Sequence, residues 1–151
     1  MTERHKAKLA AYLVLLRVKL GWTEILLHKR NVGTDFHPGE YALPSGHVEA
    51  GESITHAIVR EAKEEANIIP IDPRMDHVSY RNENDHFTVD FFFTAYEYIG
   101  EIKNNEPDKC IELEWFRINK LPENTAPYIR EALKHVLNLY KCDHFSEYGW
   151  S

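Results

Sequence analysis

The stretch Gly46-His47-Val48-Glu49-Ala50-Gly51-Glu52-Ser53-Ile54-Thr55-His56-Ala57-Ile58-Val59-Arg60-Glu61-Ala62-Lys63-Glu64-Glu65-Ala66-Asn67-Ile68 puts carboxylates where a helix ordinarily hides apolar groups. From Ser53 to Ala66 it holds neither Gly nor Pro, and Ser53 is suited to an N-cap, so the spacing predicts a helix there. At roughly 100° per residue, Ile54, Ala57 and Ile58 share a face, and steps of three and four continue that face to Glu61, Glu64 and Glu65. Arg60, Lys63 and His56 fall on the other side. An ordinary amphipathic helix keeps its charges opposite the apolar stripe. Carboxylates clustered in a cleft repel one another and are costly to ionise without a cation. Oxygen-only donors favour Mg²⁺ or Mn²⁺ over zinc, and Mg²⁺ commonly shares its site with substrate phosphates.

The spacing reads Gly46, five residues, Glu52, seven residues, Arg60-Glu61-Ala62-Lys63-Glu64-Glu65-Ala66-Asn67-Ile68. It resembles the Nudix box at Gly46, Glu52, Arg60, Glu61, Glu64, Glu65 and Ile68. Ala62 is a small member of the aliphatic class, and Asn67 stands where the family has Gly. That glycine ends the helix in a left-handed conformation, which Asn adopts more readily than other side chains. The resemblance continues upstream through Glu24 to Arg30 and Gly39 to Glu49, with Ser45 in place of the first of two paired glycines. Downstream it takes in Val89 to Ala95, Glu106 to Lys109 and Glu112 to Phe116. It covers Leu9 to Leu137 and implies a MutT-like Nudix-type α/β/α sandwich, with a mixed β-sheet between helices.

A chain of 151 residues with 43% hydrophobic and 28% charged residues is expected to form a single domain, 1–151. Eighteen basic residues against twenty-four acidic give −6, and without a basic cluster neither non-specific nucleic-acid binding nor membrane binding is expected. Arg4, Lys6 and Lys8 before the run from Leu9 to Leu16 imitate a leader peptide. The run breaks at Arg17 without a small-residue cleavage site, so it is read as a first strand. Cys110 and Cys142 make neither a disulfide framework nor a zinc site, and a cytoplasmic location is expected.

The coarse pattern gives strand, turn at Gly21, strand, and a polar loop from Asn31 to Glu40 ahead of the helix. Runs from Met75 to Tyr80 and His86 to Tyr98 read as strands joined by a turn over Arg81 to Asp85, and Gly100 to Lys109 as a loop near the site. Ile111 to Phe116 reads as a strand. Ala126 to Tyr140 reads as an amphipathic helix on the opposite sheet face, carried by Ile129, Leu133, Val136, Leu137 and Tyr140.

By the resemblance, the chain is a metal-dependent pyrophosphohydrolase acting on a small-molecule nucleotide. Glu61, Glu64 and Glu65 are the metal-ligand candidates, with the Gly46 carbonyl added by family similarity, and one of the glutamates, Glu64 for instance, is alternatively the base. Arg60 orients a glutamate through a charge-assisted hydrogen bond, with Glu52 its acidic partner. Glu106, Asp108 and Glu112 compete to supply a further ligand from the loop before the last strand. Arg30, Tyr41, His47 and Phe93 are substrate-contact candidates, and Phe36 joins Tyr41 and Phe93 as an aromatic able to stack on a base. His37, His56 and His86 read as surface or loop histidines.

Family markers narrow the substrate. Glu83 and Asn84 stand where ADP-ribose enzymes carry Pro and diadenosine-polyphosphate enzymes carry Tyr, and Asp35 stands where coenzyme A pyrophosphatases carry Arg. A nucleoside di- or triphosphate, including an oxidised one removed in a housecleaning role, or a related nucleoside diphosphate derivative is therefore expected. The alternatives are a nucleotide-binding module without catalysis, or a hydrolase of nucleotide sugars, dinucleoside polyphosphates or RNA 5′ ends. An isomerase on this fold would need a protonating Cys, and Cys110 lies in the wrong region.

Overall fold

The computed structural model describes residues 2–138 and 143–151. Strand β1 (Lys8–Lys19) carries the apolar run read as a first strand, and its alternation feeds two cores. Ala11, Leu13 and Leu15 point to one face, with Leu26 from β2 (Trp22–Arg30), and meet Ala57, Ile58, Ala62 and Ala66 of helix α1 (Ile54–Ala66). Tyr12, Val14 and Leu16 point to the other, with Ile25 and Leu27, and meet Tyr128, Ile129, Ala132 and Leu133 of helix α2 (Pro127–Val136). Period-2 alternation thus places a helix on each face of one sheet, the expected α/β/α sandwich.

That sheet also contains β3 (Tyr41–Ala42), β4 (Ser45–His47), β6 (Arg74–Glu83), β7 (His86–Ala95), β9 (Cys110–Arg117) and β10 (Phe145–Tyr148). Its order runs β10-β6-β7-β1-β2-β3, with β4 hung on β1 and β9 on β2. The β1–β7 and β10–β6 pairs are parallel and the others antiparallel. β1 is shared along its length: Ala10 to Tyr12 pair with β4, and Leu16 to Lys19 with β2. No helix among the described residues is long and apolar enough to cross a membrane.

Several boundaries differ from the sequence reading. The turn expected over Arg81 to Asp85 is only Asn84-Asp85, both at positive φ (51° and 61°), as a two-residue hairpin turn requires, so Arg81 lies inside β6. The run to Tyr98 divides at Tyr96. Glu97–Ile99 forms β8, which pairs with β5 (Ile69–Ile71) in a separate small sheet. The last helix stops at Val136, where Leu137 takes φ −88°, ψ 5°, and the apolar positions Val136 and Leu137 still pack on the core. Tyr140 and Cys142 lie outside the described residues. Strand β10 has no counterpart in the sequence reading, because Phe145-Ser146-Glu147-Tyr148 is too short and polar to stand out.

Candidate active site

Helix α1 starts and stops where its side chains dictate. The Ser53 hydroxyl accepts the His56 N–H (3.1 Å), and Asn67 takes the left-handed conformation (φ 61°, ψ 29°) with its N–H directed to the Ala62 and Lys63 carbonyls. Asn67 Nδ2 donates to the Glu101 carbonyl (3.0 Å), a bond the family's glycine could not make. This bond helps dock the loop after β8 against the helix end. Lys103 N donates to the Ala66 carbonyl (3.0 Å) and Asn105 N to that of Glu65 (3.2 Å), so the loop is drawn toward the acids.

The acidic stripe is not uniform. Buried positions centre on Ile58, Ala62 and Ala66, which puts Glu65 inside, Glu61 at the margin and Glu64 outside; the Glu64 side chain is 48% exposed and that of Glu61 is 12%. The expected inward orientation of all three therefore fails for Glu64. Arg60, expected on the outer side, instead folds over the margin between Glu64 and Glu61. Its Nε and Nη2 donate to Glu52 Oε2 and Oε1 (2.7 and 3.0 Å), and Nη1 to Glu61 Oε1 (2.8 Å) and Glu64 Oε2 (3.2 Å). Nη2 also donates to the His47 carbonyl (3.1 Å), which ties the helix to β4. The forked pairing of Arg60 with Glu52 is the geometry of a strong charge-assisted contact. It holds the Glu52 carboxyl down at about 2, with the Glu49 N–H and His56 adding to it, and it raises Arg60 above its ordinary value.

Gly46 has a steric reason to be glycine. Its φ is not in the left-handed region, but a Cβ there would stand 2.0 Å from both Cδ and Oε1 of Glu61. The Glu61 carboxylate thus lies directly on the β4 backbone. Beside it, Glu65 Oε2 accepts the Ser45 N–H (3.0 Å). Burial raises the pKa of Glu61, against the pull of Arg60 and with repulsion from Glu64 and Glu106. Burial raises Glu65 further, and the Ser45 N–H only partly offsets it, while Glu61 and Glu106 add repulsion. Two half-buried acids near a third make an oxygen donor set that suits a hard cation. Among the described residues, no three His, Cys, Asp or Glu side chains converge as they stand into a group able to hold a metal ion.

The three loop acids separate by environment. Glu106 is the one whose charge reaches Glu61 and Glu65. Asp108 is exposed, and its carbonyl accepts from Asn31 Nδ2 (2.9 Å). Glu112 accepts the Tyr41 hydroxyl, and that pairing and burial push the phenol up to about 12, with burial the larger cause.

The substrate-contact candidates are scattered. Tyr41 is 8% exposed and packs edge-on against Phe116, and Phe93 is 3% exposed beneath α1, so neither ring offers an open face. His47 is exposed at a shallow hollow with Ala7, Lys8, Leu9 and Val48. Arg30 sits at a bulge of β2, donates Nε to the Phe36 carbonyl (2.6 Å), and its charge eases ionisation of Glu65. His37, expected as a surface histidine, is clasped between Glu40 (2.6 Å) and Glu83 (2.9 Å).

Sequence reading missed a buried ion pair on the α2 face. Arg81 donates Nε and Nη2 to Asp90 (2.6 and 3.1 Å) and Nη2 to the Tyr12 hydroxyl (3.2 Å), beneath the Tyr128 ring at 4.2 Å. The available signal was parity: His77, Ser79 and Arg81 alternate as the buried side of β6.

Comparison with known proteins adds an independent line. The NUDIX domain model matches residues 6–136. A Pseudomonas aeruginosa protein named NAD-capped RNA hydrolase NudC is 31% identical over 105 residues, covering 70% of this chain and 36% of its own. A Methanocaldococcus jannaschii ADP-ribose pyrophosphatase is 35% identical over 102 residues, covering 66% and 58% respectively. The chain therefore spans about a third to three-fifths of the length of these curated relatives. Among solved structures, a MutT NUDIX hydrolase from Burkholderia pseudomallei superposes with a TM-score of 0.77 at 27% identity, covering 86% of this chain and 98% of that one. The NUDIX domain of Shewanella oneidensis NrtR, complexed with ADP ribose, shares the fold with a TM-score of 0.72 at 17% identity, covering 87% and 86%.

Proposed function

The chain belongs to the NUDIX family, and from that premise we propose that it is a divalent-metal-dependent hydrolase of the diphosphate linkage in a nucleoside di- or triphosphate or a nucleoside diphosphate derivative. The observation that carries this reading is the Glu61 carboxylate seated on Gly46, beside a half-buried Glu65 held by the Ser45 N–H. Both acids have their pKa raised by burial and by neighbouring carboxylates, and a cation between them would offset that repulsion.

The donor set fits Mg²⁺ or Mn²⁺, with Glu61, Glu65 and the Gly46 carbonyl as holders and Glu64 and Glu106 as neighbouring oxygens. When bound, such an ion neutralises phosphoryl oxygens and lowers the pKa of water. Arg60 fixes Glu61 while drawing its own orientation from Glu52, which makes both positioning residues. In this reading Glu64, the most open of the box glutamates, would take the proton of an attacking water as its oxygen bonds to phosphorus and the anhydride oxygen leaves.

The names of the curated relatives, NAD-capped RNA hydrolase and ADP-ribose pyrophosphatase, favour a substrate in which a diphosphate joins a nucleoside to a further group. The free, buried Cys110 thiol suits a reducing compartment, and the cytoplasm is the setting this reading assigns. A phosphate-release screen over nucleoside di- and triphosphates, oxidised nucleotides, nucleotide sugars, dinucleoside polyphosphates and capped RNA tests it. Glu64→Gln is expected to lower turnover by roughly two to four orders of magnitude on the substrate found, with the fold intact. No hydrolysis of any anhydride with Mg²⁺ or Mn²⁺ present would refute the reading in favour of a binding module.

A further inference from the structure

The β1–β2 hairpin ends in a tip that folding does not account for. Leu20 and Gly21 join the strands with φ of 52° and 82°, the two positive values of a primed hairpin turn, and Lys19 pairs with Trp22 across it. The β6–β7 turn places Asn84 and Asp85 at its positive φ values, and such side chains enter the left-handed region readily. Leu20 is strained there, and no burial compensates: it is 89% exposed, with Val18 at 71% and Trp22 at 45%. Alternation spreads the three around the tip. Val18 continues the α2-face row of Val14 and Leu16, Trp22 lies opposite Lys19 on the α1 face, and Leu20 projects at the end. A partner lying flat on one sheet face covers only part of this set, whereas a surface that receives the tip end-on covers all of it.

The charges beside the tip are mostly of one sign. The Ile118 N–H donates to the Thr23 carbonyl (3.1 Å), which brings the end of β9 and the turn after it alongside the hairpin. The segments Arg17 to Glu24 and Arg117 to Lys120 together carry Arg17, Lys19, Arg117 and Lys120 against one acid, Glu24, and Arg17 takes up that acid at 2.8 Å. Arg117 lays its guanidinium over the Trp22 ring at 3.7 Å. In a chain of net charge −6, this end is positive. The sequence shows no basic cluster because these cations come from segments far apart along it. An apolar tip that includes a Trp and is collared by Lys and Arg matches an anionic bilayer, where apolar groups enter the headgroup boundary and cations meet the lipid charges.

We propose that this tip, through Val18, Leu20 and Trp22 with Lys19, Arg117 and Lys120 around them, docks the protein reversibly on an anionic lipid surface. The contact is peripheral and uses no membrane-crossing helix. Leu20 lies nine residues along the chain from Ala11, the partner of Gly46, a strand distance of about 30 Å, so the acid cluster stays clear of the lipid.

The test is co-sedimentation of the full chain with vesicles of phosphatidylcholine mixed with phosphatidylserine, and with phosphatidylcholine alone. Binding is expected on the mixed vesicles, falling as salt is raised, and should be weak on phosphatidylcholine. Lys19→Gln should weaken partitioning about fivefold, the worth of one cation near the surface. Leu20→Asn should weaken it about tenfold or more, yet raise the melting temperature by about 2–4 °C because Asn relieves the turn. The same variant should leave lipid-free hydrolysis unchanged. Lipid brominated on its acyl chains should quench the native fluorescence, and Trp22→Phe should lose that quench while still sedimenting. No binding to the mixed vesicles at low salt, equal binding to both vesicles, native binding by Leu20→Asn, or a lowered melting temperature in that variant would each overturn the proposal. A concentration-dependent dimer that ignores vesicles and is abolished by Leu20→Asn would overturn it in favour of a second copy at the tip. Vesicle binding by a protein that hydrolyses no anhydride would refute the hydrolase reading and keep the lipid contact.

Discussion

Replacing Gly46 with Ala should separate activity from stability. The added Cβ would fall 2.0 Å from Glu61 Cδ and Oε1, whereas an ordinary contact begins at 3.4 Å, so the carboxylate has to retreat by about 1.4 Å, the difference of the two. What moves is the far end of a flexible side chain, and Gly46 is in an extended strand paired with Ala11, where Ala is tolerated. Unfolding free energy should change by no more than about 1 kcal/mol. The retreat, however, breaks the 2.8 Å bond from Arg60 Nη1 and carries the carboxylate off the backbone carbonyl with which it would share an ion. A misplacement of about 1 Å at a reacting centre costs on the order of a hundredfold in rate. Steady-state kinetics on the screened substrate should show that loss in kcat, alongside an unchanged denaturation midpoint. The double variant Gly46→Ala with Glu61→Ala should be no slower than Glu61→Ala alone, because the two changes remove the same contact. Losses that multiply, or a folded Gly46→Ala enzyme at native kcat/KM, would refute the cradle.

Other outcomes follow from the same geometry. Turnover should vanish in excess chelator and return with Mg²⁺ or Mn²⁺; undiminished rates in chelator would contradict a cation at Glu61 and Glu65. His28, buried in β2 and near Arg30, has its pKa lowered from 6.5 to about 4, so between those pH values the unfolded chain binds the extra proton and stability falls as pH falls. The span of 2.5 units corresponds to about 3 kcal/mol, and urea denaturation should show native protein losing roughly that much more than His28→Gln between pH 7 and 4; parallel pH curves would exclude it. At Asn67, Gly should be nearly neutral for thermal stability, while Ala should cost about 1–2 kcal/mol for its left-handed φ of 61°. Equal melting temperatures for the two would argue against the cap.

The fold was legible where the chain repeats a period and faint where it does not. β1 and α1 announce themselves through runs long enough to fix both element and face. The box gave Glu61, Glu65, Arg60 and Glu52 their neighbours because helical geometry turns spacing into proximity. It did not give their depth: Glu64 and Arg60 lie outward and inward of their expected places, because small Ala62 and Ala66 let the sheet take the helix along a stripe shifted from the one drawn through Ile54 and Ala57. Contacts between distant segments were invisible in principle. Glu106 reaches the acids through backbone bonds to α1 that depend on no side-chain pattern, and Arg81 finds Asp90 only once a two-residue turn sets the β6–β7 register. β10 owes its place to pairing with β6, and its own residues carry no strand signal.

β1 is apolar on both sides from Ala10 to Leu16, so burial alone would scarcely object if the strand were threaded one residue out of step. The penalty arises at its ends and edges: Arg17 holds Glu24 at 2.8 Å beneath the Trp115 ring, and eight consecutive partners in β7 fix the parallel alignment. Because β4 hangs on the same strand, with Gly46 opposite Ala11, an alignment error there would carry the backbone beneath Glu61 by about 3.3 Å. The accuracy of the acid cradle is therefore inherited from how faithfully one greasy strand is kept in step by a polar pair at its far end.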